Sequence, residues 1–309
     1  MDKKELRIVF MGTPEFSANV LTGLILEKYD VSLVVSQPNK PVGRHHILED
    51  TPVVKVAKEN NIKVFQPNNI REDYDEIKNV NPDIIITCAY GQIIPEELIN
   101  LPRLGCINVH ASILPKYRGG APIHRAIING DKVTGVTIMY MDKSMDTGDI
   151  ISIRECKIED DDNLETLFNK LSDIGRSLLL DTLPSIIDKT NSRIPQDNSK
   201  AIYAYNIKKE ETKIDFSDNT LNIYNKIRGL SPSIGCFCYL NDNIFKVYGA
   251  RIGKLRGEVG KVTKKYDDSF GIATGDGEII FTIVQPAGKK KMNATEFMRG
   301  FEVEGVIFK

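Results

Sequence analysis

Two polar residues, Asn108 and His110, close a short apolar stretch that begins at Cys106. Strand alternation places Cys106, Asn108 and His110 on one face and the aliphatic residues between them on the other. An amide N–H can stabilise a developing oxyanion, and an imidazole can accept or release a proton near neutral pH. This pattern indicates an active-site wall rather than a hydrophobic core.

Asp146 could supply a carboxylate as the third group of this site, and it lies in the loop 142–149 after the next predicted strand. We expect it to orient the imidazole and to favour its charged form. An amide, an imidazole and a carboxylate suit direct group transfer between two bound substrates. Other interpretations stay open, because Asn-x-His often merely ends a strand and Asp146 could cap a turn. Ser112 could act as a nucleophile, although the GxSxG elbow is missing.

The elements that must position these groups alternate between strands and helices. Apolar runs predict strands at 6–11, 31–36, 64–65, 83–88, 106–110, 135–141 and 150–153, with helices at 16–27, 52–60, 73–78 and 163–188 and one starting near 121. Such alternation predicts an α/β domain with a Rossmann-like, doubly wound, mostly parallel sheet. Ligands of open α/β sheets bind at the carboxyl ends of the strands, where we expect Asn108 and His110.

The pattern changes after residue 188. Residues 189–206 are polar with few apolar anchors and predict a linker. Residues 207–309 contain short strand-like runs at 235–240, 244–247, 257–262, 270–273 and 278–284, separated by Gly, Asp or Asn. We therefore predict a first domain at 1–188 and a C-terminal OB-type β-barrel at 207–309.

Composition is that of an ordinary globular protein, with 41% hydrophobic and 27% charged residues in a chain of 309. No apolar run approaches the roughly 18 residues of a membrane span, and the N-terminus does not resemble a signal peptide. The five cysteines form no CxxC pair, so we expect reduced thiols in a cytoplasmic protein that does not bind membranes. Basic residues exceed acidic ones in 207–309, which is a weak indication of a polyanionic partner.

Two central segments, NVHASILPKYRGGAPI and GVTIMYMDKSMDTGDI, strongly resemble the folate-dependent formyltransferases. The resemblance covers nearly the whole chain and includes FMGTPEFS, SQPNKPVGR, AYGQIIP, IDFSDNTLNIYNKIRGLSP and GDGEIIFTIVQPAGKKKM. In this family the Asn-x-His pair and the downstream Asp specify the reaction class. The FMGTPEFS and SQPNKPVGR motifs and the C-terminal domain indicate the branch that acts on charged initiator tRNA.

The resemblance implies transfer of the formyl group of 10-formyltetrahydrofolate to the α-amine of a methionyl group on initiator tRNA. Asn108 would donate to the oxyanion, and His110, supported by Asp146, would help move the proton of the amine. No metal is required, since the formyl group on N10 is already activated. Ser112, Ile113, Leu114 and Pro115 match the folate-binding segment of the family. We also expect loop contacts to the pterin near Tyr90, Gly91, Ile93 and Asp142.

Basic residues supply candidates for binding tRNA phosphates, which give affinity rather than base specificity. In the family the 37–49 insertion enters the acceptor stem, which implicates Lys40 and Arg44. The C-terminal candidates are Lys208, Lys209, Arg251, Lys254, Lys289 and Lys290. A solvated basic face without a partner is the simpler alternative for many of them. We expect the protein to act as a monomer.

Two other functions fit parts of this pattern. One is a 10-formyltetrahydrofolate-dependent transferase for a small amine such as a sugar nucleotide, which would leave the basic loop and the β-domain without a role. The other is a non-catalytic RNA-binding protein on the same scaffold, in which Asn108 and His110 would be dispensable.

Overall fold

The computed structural model describes residues 5–42 and 47–309, which divide into two compact units. The first unit contains the described residues up to 122 together with 133–157 and 168–205. The second contains Asn206–Lys309 and two short segments from the earlier part of the chain, Ile123–Lys132 and Ile158–Leu167. No helix among the described residues is long and apolar enough to span a bilayer.

The strands of the first unit are β1 (Ile8–Gly12), β2 (Val31–Val35), β3 (Lys40–Val42), β4 (Ile47–Glu49), β5 (Val64–Phe65), β6 (Ile84–Cys88), β7 (Cys106–His110), β8 (Val133–Tyr140) and β9 (Ile150–Lys157). Seven of them form one sheet in the order β5-β2-β1-β6-β7-β8-β9. Pairing is parallel from β5 to β7 and antiparallel for β7-β8 and β8-β9. The predicted doubly wound, mostly parallel sheet is therefore confirmed.

The helices of the chain are α1 (Glu15–Leu26), α2 (Pro52–Glu59), α3 (Asp75–Val80), α4 (Glu96–Asn100), α5 (Pro122–Ile128), α6 (Leu164–Ile187), α7 (Thr220–Leu230) and α8 (Ala294–Gly300). The central strands β1 and β6 are buried along their whole length, as expected for strands covered on both faces. Pro122 opens α5, where its missing N–H leaves no helical bond unmade. The sequence patterns did not predict α4, α7 or α8.

The second unit carries a six-stranded antiparallel sheet made of β10 (Cys236–Leu240), β11 (Asn243–Gly253), β12 (Val262–Lys265), β13 (Phe270–Ala273), β14 (Glu278–Pro286) and β15 (Met292–Asn293). Its order is β10-β11-β14-β13-β12, with β15 on β14. The C-terminal segment then pairs with both edges. Lys309 exchanges backbone hydrogen bonds with Tyr239 of β10 at 2.7 and 3.0 Å, and the amide of Val262 in β12 donates to Val306 at 2.9 Å. The C-terminal segment thus bonds to both edge strands of a sheet whose core contains several phenylalanines.

Two local predictions were wrong. The strand expected at 257–262 lies later, at Val262–Lys265, because residues 258–261 form a turn in which Gly260 has φ +82°. The loop expected at 37–49 contains an antiparallel pair, β3 and β4, with Lys40 opposite Glu49.

The predicted linker at 189–206 is hydrogen-bonded into the first unit, where Ile194 pairs with Ile150 through two bonds of 2.9 Å.

Candidate active site

Asn108 lies in the middle of β7, between β6 on one side and β8 on the other. The register places it beside Thr87 of β6, whose hydroxyl donates to the amide oxygen of Asn108 at 2.9 Å. Because Thr87 occupies the oxygen, the side chain of Asn108 is oriented with its N–H groups available as donors. Asn108 is only partly buried, so a ligand can reach them.

His110 ends β7 and is almost completely buried. Its Nε2 lies 2.9 Å from the carbonyl oxygen of Tyr117, which can only accept and therefore places a proton on Nε2. The other ring nitrogen, Nδ1, lies 3.8 Å from Oδ2 of Asp146. This separation is too long for a hydrogen bond, so Nδ1 is the ring nitrogen without a hydrogen-bond partner among the described residues.

Asp146 reaches His110 from the loop between β8 and β9. Its Oδ2 accepts a hydrogen bond of 2.7 Å from the amide of Gly119, which fixes the carboxylate. The backbone of Asp146 is left-handed, with φ +54°, a conformation that costs a non-glycine residue about 1 kcal/mol or more. A residue held in this way needs support from its surroundings.

The support comes from Gln196 and Arg118. The amide nitrogen of Gln196 donates to the carbonyl of Asp146 at 2.9 Å and to that of Gly148 at 2.8 Å. The amide oxygen of Gln196 accepts from Nε and Nη2 of Arg118 at 3.1 and 2.7 Å. Arg118 is 1% exposed and also donates to Asn198 at 2.9 Å. The loop that carries Asp146 is thus fixed by a buried guanidinium through one glutamine.

Neither Ser112 nor Cys106 is arranged to act as a nucleophile. The hydroxyl of Ser112 is fully buried and donates to the carbonyl of Lys116 at 2.7 Å, while the ring nitrogens of His110 face Tyr117 and Asp146. Cys106 shares the face of Asn108, but burial raises the pKa of its thiol and keeps it protonated. The Ser112 triad is therefore unsupported, and direct transfer fits the geometry better.

A cavity of about 440 Å³ lies at the start of β7, and its lining includes the polar and charged residues Asn100, Arg103, Lys189, Asn191 and Arg193 but neither Asn108 nor His110. Cys106 and Met141 are part of its lining, and the sulfur of Met141 lies 3.2 Å from the hydroxyl of Thr87 that holds Asn108. Tyr90 belongs to the same apolar cluster, and its buried hydroxyl has no hydrogen-bond partner among the described residues.

Profiles of known families match both units. A profile described as "Formyl transferase" matches residues 6–183, and one described as "Formyl transferase, C-terminal domain" matches residues 206–302. The chain belongs to the formyl transferase family.

Similar family members have nearly the same length as this chain. Methionyl-tRNA formyltransferase of Lysinibacillus sphaericus is 50% identical over 95% of both chains, and that of Staphylococcus epidermidis is 47% identical over 96% of both. Among solved structures, an N-formyltransferase from Helicobacter canadensis, in complex with folinic acid and dTDP-3-aminofucose, matches 93% of this chain and all of its own (TM-score 0.70, 21% identity). HypX from Aquifex aeolicus, in complex with tetrahydrofolic acid, matches 96% of this chain (TM-score 0.69, 17% identity), which spans about half, 47%, of HypX. Both structural likenesses show the fold.

The segment 112–115, which is predicted to bind folate, is engaged within the protein. Leu114 is buried and its amide donates to Thr137 at 3.2 Å, while Ile113 and Pro115 are partly buried and Ser112 bonds within the turn. The carboxylate of Asp142 is used by Thr147 at 2.6 and 2.8 Å. Their binding of folate stays a prediction, and it would have to use backbone atoms or the outer surface of the turn.

The second predicted folate loop is more accessible. Gly91 is exposed with φ +90°, and Ile93 is 68% exposed. The carbonyl of Tyr90 is already occupied by Thr13 at 2.9 Å and by Gln37 at 3.2 Å. Backbone groups beyond Tyr90 and the side chain of Ile93 are thus the parts of this loop that a donor could contact.

The predicted tRNA-binding residues differ in how they are held. Lys40 is exposed on β3, whereas Arg44 lies outside the described residues. Among the predicted residues of the second unit, five lysines are exposed: Lys208, Lys209, Lys254, Lys289 and Lys290. Arg251 is the exception, because it is ion-paired with Asp268 at 2.7 Å and bonded to Ser269 at 2.8 Å. It is therefore the weakest candidate of the set for a phosphate contact.

Sequence patterns alone missed Thr87, Arg118 and Gln196 as parts of the site. Thr87 ends an apolar strand and could have been found from its place on the strand next to Asn108. Arg118 stands in a basic, glycine-rich turn that suggested exposure, yet it is buried. Gln196 lies in a polar segment without periodicity, so no local signal indicated its contact with Asp146.

Proposed function

We propose that this protein transfers the formyl group of 10-formyltetrahydrofolate to the α-amine of methionyl-initiator tRNA, for translation initiation. The observation that carries this proposal is an amide, an imidazole and a carboxylate gathered around one strand. They occur in a chain that matches methionyl-tRNA formyltransferases at 44–50% identity over about 95% of its length. The alternative function, formyl transfer to a small amine, is not supported by sequence identity and coverage of this size.

The proposed roles follow from the hydrogen bonds already described. Asn108 donates an N–H to the oxygen of the formyl carbon, where negative charge grows as the amine nitrogen forms its bond to that carbon. His110 accepts the amine proton at Nδ1 and delivers it to the folate nitrogen as the old carbon–nitrogen bond breaks. Asp146 stabilises the protonated imidazole across the 3.8 Å gap.

The formyl donor supplies an activated one-carbon unit when it is bound. We propose that the loop at Tyr90, Gly91 and Ile93 contacts its pterin. The unused hydroxyl of Tyr90 supports this fit, since a buried polar atom gains about 1–3 kcal/mol when it finds a partner.

For the tRNA, we propose phosphate contacts by Lys40 and Arg44 in the first unit and by the exposed lysines of the second unit. We also propose that residues 1–188 form the catalytic domain and 207–309 a tRNA-binding domain, joined at 189–206. Truncating the chain after residue 206 would remove hydrogen bonds made to the remaining part, because buried Arg228 donates to the carbonyls of Glu159 and Asp162 at 3.0 and 2.8 Å. A fragment 1–206 loses these contacts, so its stability must be measured before its tRNA affinity.

One assay tests the function directly. The purified chain is incubated with 10-formyltetrahydrofolate and either methionyl-initiator tRNA, methionyl-elongator tRNA or an amino-sugar nucleotide. We expect formylation of the initiator substrate, with the elongator much slower. A product with the amino sugar alone would replace the proposal with the small-amine alternative, and no product with any acceptor would favour a binding protein.

We further propose that the protein works as a monomer in the cytoplasm. Light scattering of the purified chain, alone and with charged tRNA, should give the mass of one chain and of a one-to-one complex. A dimer mass at the concentrations of the kinetic assay would reject the monomer.

A further inference from the structure

Two tyrosines form an exposed stack in the segment that follows Gln196. The rings of Tyr203 and Tyr205 are nearly parallel, with an interplanar angle of 8° and centroids 5.7 Å apart. They are 47% and 60% exposed. Residues two apart on an extended segment point to the same side, so the two rings stack on each other on one side of this segment.

This face is built on the same backbone that fixes the catalytic groups. The amide of Arg118 donates to Ile202 at 2.8 Å, and the amide of Ala204 donates back to Arg118 at 2.7 Å. Tyr203 is thereby paired with Arg118, about 5 Å away in the spacing of neighbouring strands. The residues on either side of Arg118 are Tyr117, whose carbonyl bonds His110, and Gly119, whose amide bonds Asp146.

The segments that contain Arg118 and Tyr203 approach so closely that position 119 requires glycine. Gly119 has φ +120°, and a Cβ there would lie 2.9 Å from the carbonyl oxygen of Ala204. The tyrosine stack therefore has a fixed position relative to His110 and Asp146. Lys116, in the turn that this segment contacts, is exposed and brings positive charge to the same region.

An exposed aromatic stack near a positive charge is the feature with which proteins hold unpaired nucleotides. Bases stack on aromatic side chains without needing a particular sequence, and each such contact contributes about 1–3 kcal/mol. The amine that must reach His110 is esterified to the last nucleotide of a tRNA, whose unpaired 3′ end must cross the surface next to the catalytic groups. The backbone of Tyr203 pairs with Arg118, between the two residues that bond His110 and Asp146.

We propose that Tyr203 and Tyr205 form a stacking platform for the unpaired 3′-terminal nucleotides of the charged tRNA. This inference rests on the proposed function and adds the residues that place the aminoacyl end. The platform holds bases, while Asn108, His110 and Asp146 act on the formyl and amine groups. The aromatic ring of the formyl donor is the competing occupant, and the experiment must separate the two.

The kinetic test compares Tyr203→Ala and Tyr205→Ala with Tyr203→Phe and Tyr205→Phe. We expect each alanine variant to raise the KM for methionyl-initiator tRNA about 10-fold, the loss of about 1.4 kcal/mol of stacking, with the KM for the donor unchanged. The phenylalanine variants keep the ring and should behave like the wild type. Leu26→Ala, at a side chain that is 70% exposed on α1, controls for loss of surface apolar area.

A direct test places 2-aminopurine in the unpaired 3′ end of the tRNA and measures its fluorescence on binding. Stacking should quench it with the wild type and with the phenylalanine variants, and quenching should be lost in Tyr203→Ala combined with Tyr205→Ala. An unchanged KM for tRNA with full quenching in the double variant overturns the platform, and a raised KM for the donor alone assigns the rings to the donor instead. If the wild type fails to formylate the tRNA at all, it is the proposed function that fails.

Discussion

The polar residues around His110 in the first unit and the basic residues of the second unit differ in how their side chains are held. Around His110, the polar groups of Asn108, Asp146, Gln196 and Arg118 all form hydrogen bonds within the protein, at distances that fix their orientation. On the second unit, Lys254, Lys289 and Lys290 extend into solvent from turns and strand ends.

This difference fits the roles that we propose for the two regions. Stabilising a developing charge requires donors that are already in place, because reorientation would use up the energy gained. Attraction of phosphates depends on the total charge and tolerates movement of each side chain. A single substitution should therefore be severe in the first region and mild in the second, and the following experiments test that contrast from the largest effect to the smallest.

The largest effect is expected for Asn108→Ala and His110→Ala. Loss of the oxyanion donor or of the proton carrier should lower kcat by about 100-fold or more. Rapid-quench measurement of formylmethionyl-tRNA under saturating conditions gives kcat, and circular dichroism checks that the variants fold. A folded Asn108→Ala variant with wild-type kcat would remove the amide from the chemistry.

The second test addresses the residue that orients Asn108. Thr87→Val removes the 2.9 Å hydrogen bond to the amide oxygen, which should cost about 1 kcal/mol of orientation and lower kcat about 5- to 10-fold. Thr87→Ser keeps the hydroxyl and should restore activity. Thr134→Val is the matched control, since this buried hydroxyl has no hydrogen-bond partner among the described residues. Equal losses in the two valine variants would show a packing effect instead.

The third test concerns the support of the Asp146 loop. Gln196→Glu keeps an acceptor for Arg118 but cannot donate to the carbonyls of Asp146 and Gly148. Without these bonds the left-handed turn loosens, and we expect a fewfold drop in kcat with little change in the KM for tRNA. The pH profile of kcat should also shift if the carboxylate moves away from His110. A change in KM alone would mean that Gln196 does not act through Asp146.

The smallest effects are expected on the basic surface. Lys289→Ala and Lys290→Ala should each raise the KM for tRNA by a few fold and reduce the slope of log affinity against log salt by about 0.9. Arg251→Ala is the internal comparison, because Asp268 already neutralises this guanidinium at 2.7 Å. It should leave the salt slope almost unchanged. An Arg251 slope change as large as that of Lys289 would show that the ion pair opens on binding.

Much of the fold was predictable because it depends on local patterns. The continuous apolar runs at β1 and β6 and the alternation in β7 correspond to strands in the structure. The long periodic run at 163–188 corresponds to α6, Leu164–Ile187. The short helices α4 and α8 were missed, since 5 and 7 residues are too few for a periodic signal. The displaced strand near 257–262 shows how a glycine turn can move a boundary.

The sequence by itself determined the sheet and the chemical groups that it presents, because side-chain alternation and apolar runs depend on neighbouring residues. It placed Asn108 and His110 on one face and indicated Asp146 as their partner. Only the tertiary structure decided how these groups are held. The contacts of Thr87 with Asn108, Gln196 with Asp146 and Tyr203 with Arg118 join residues 21, 50 and 85 positions apart. Hydrogen bonds between such distant residues form only when the strands and loops are brought together, and no local pattern encodes them.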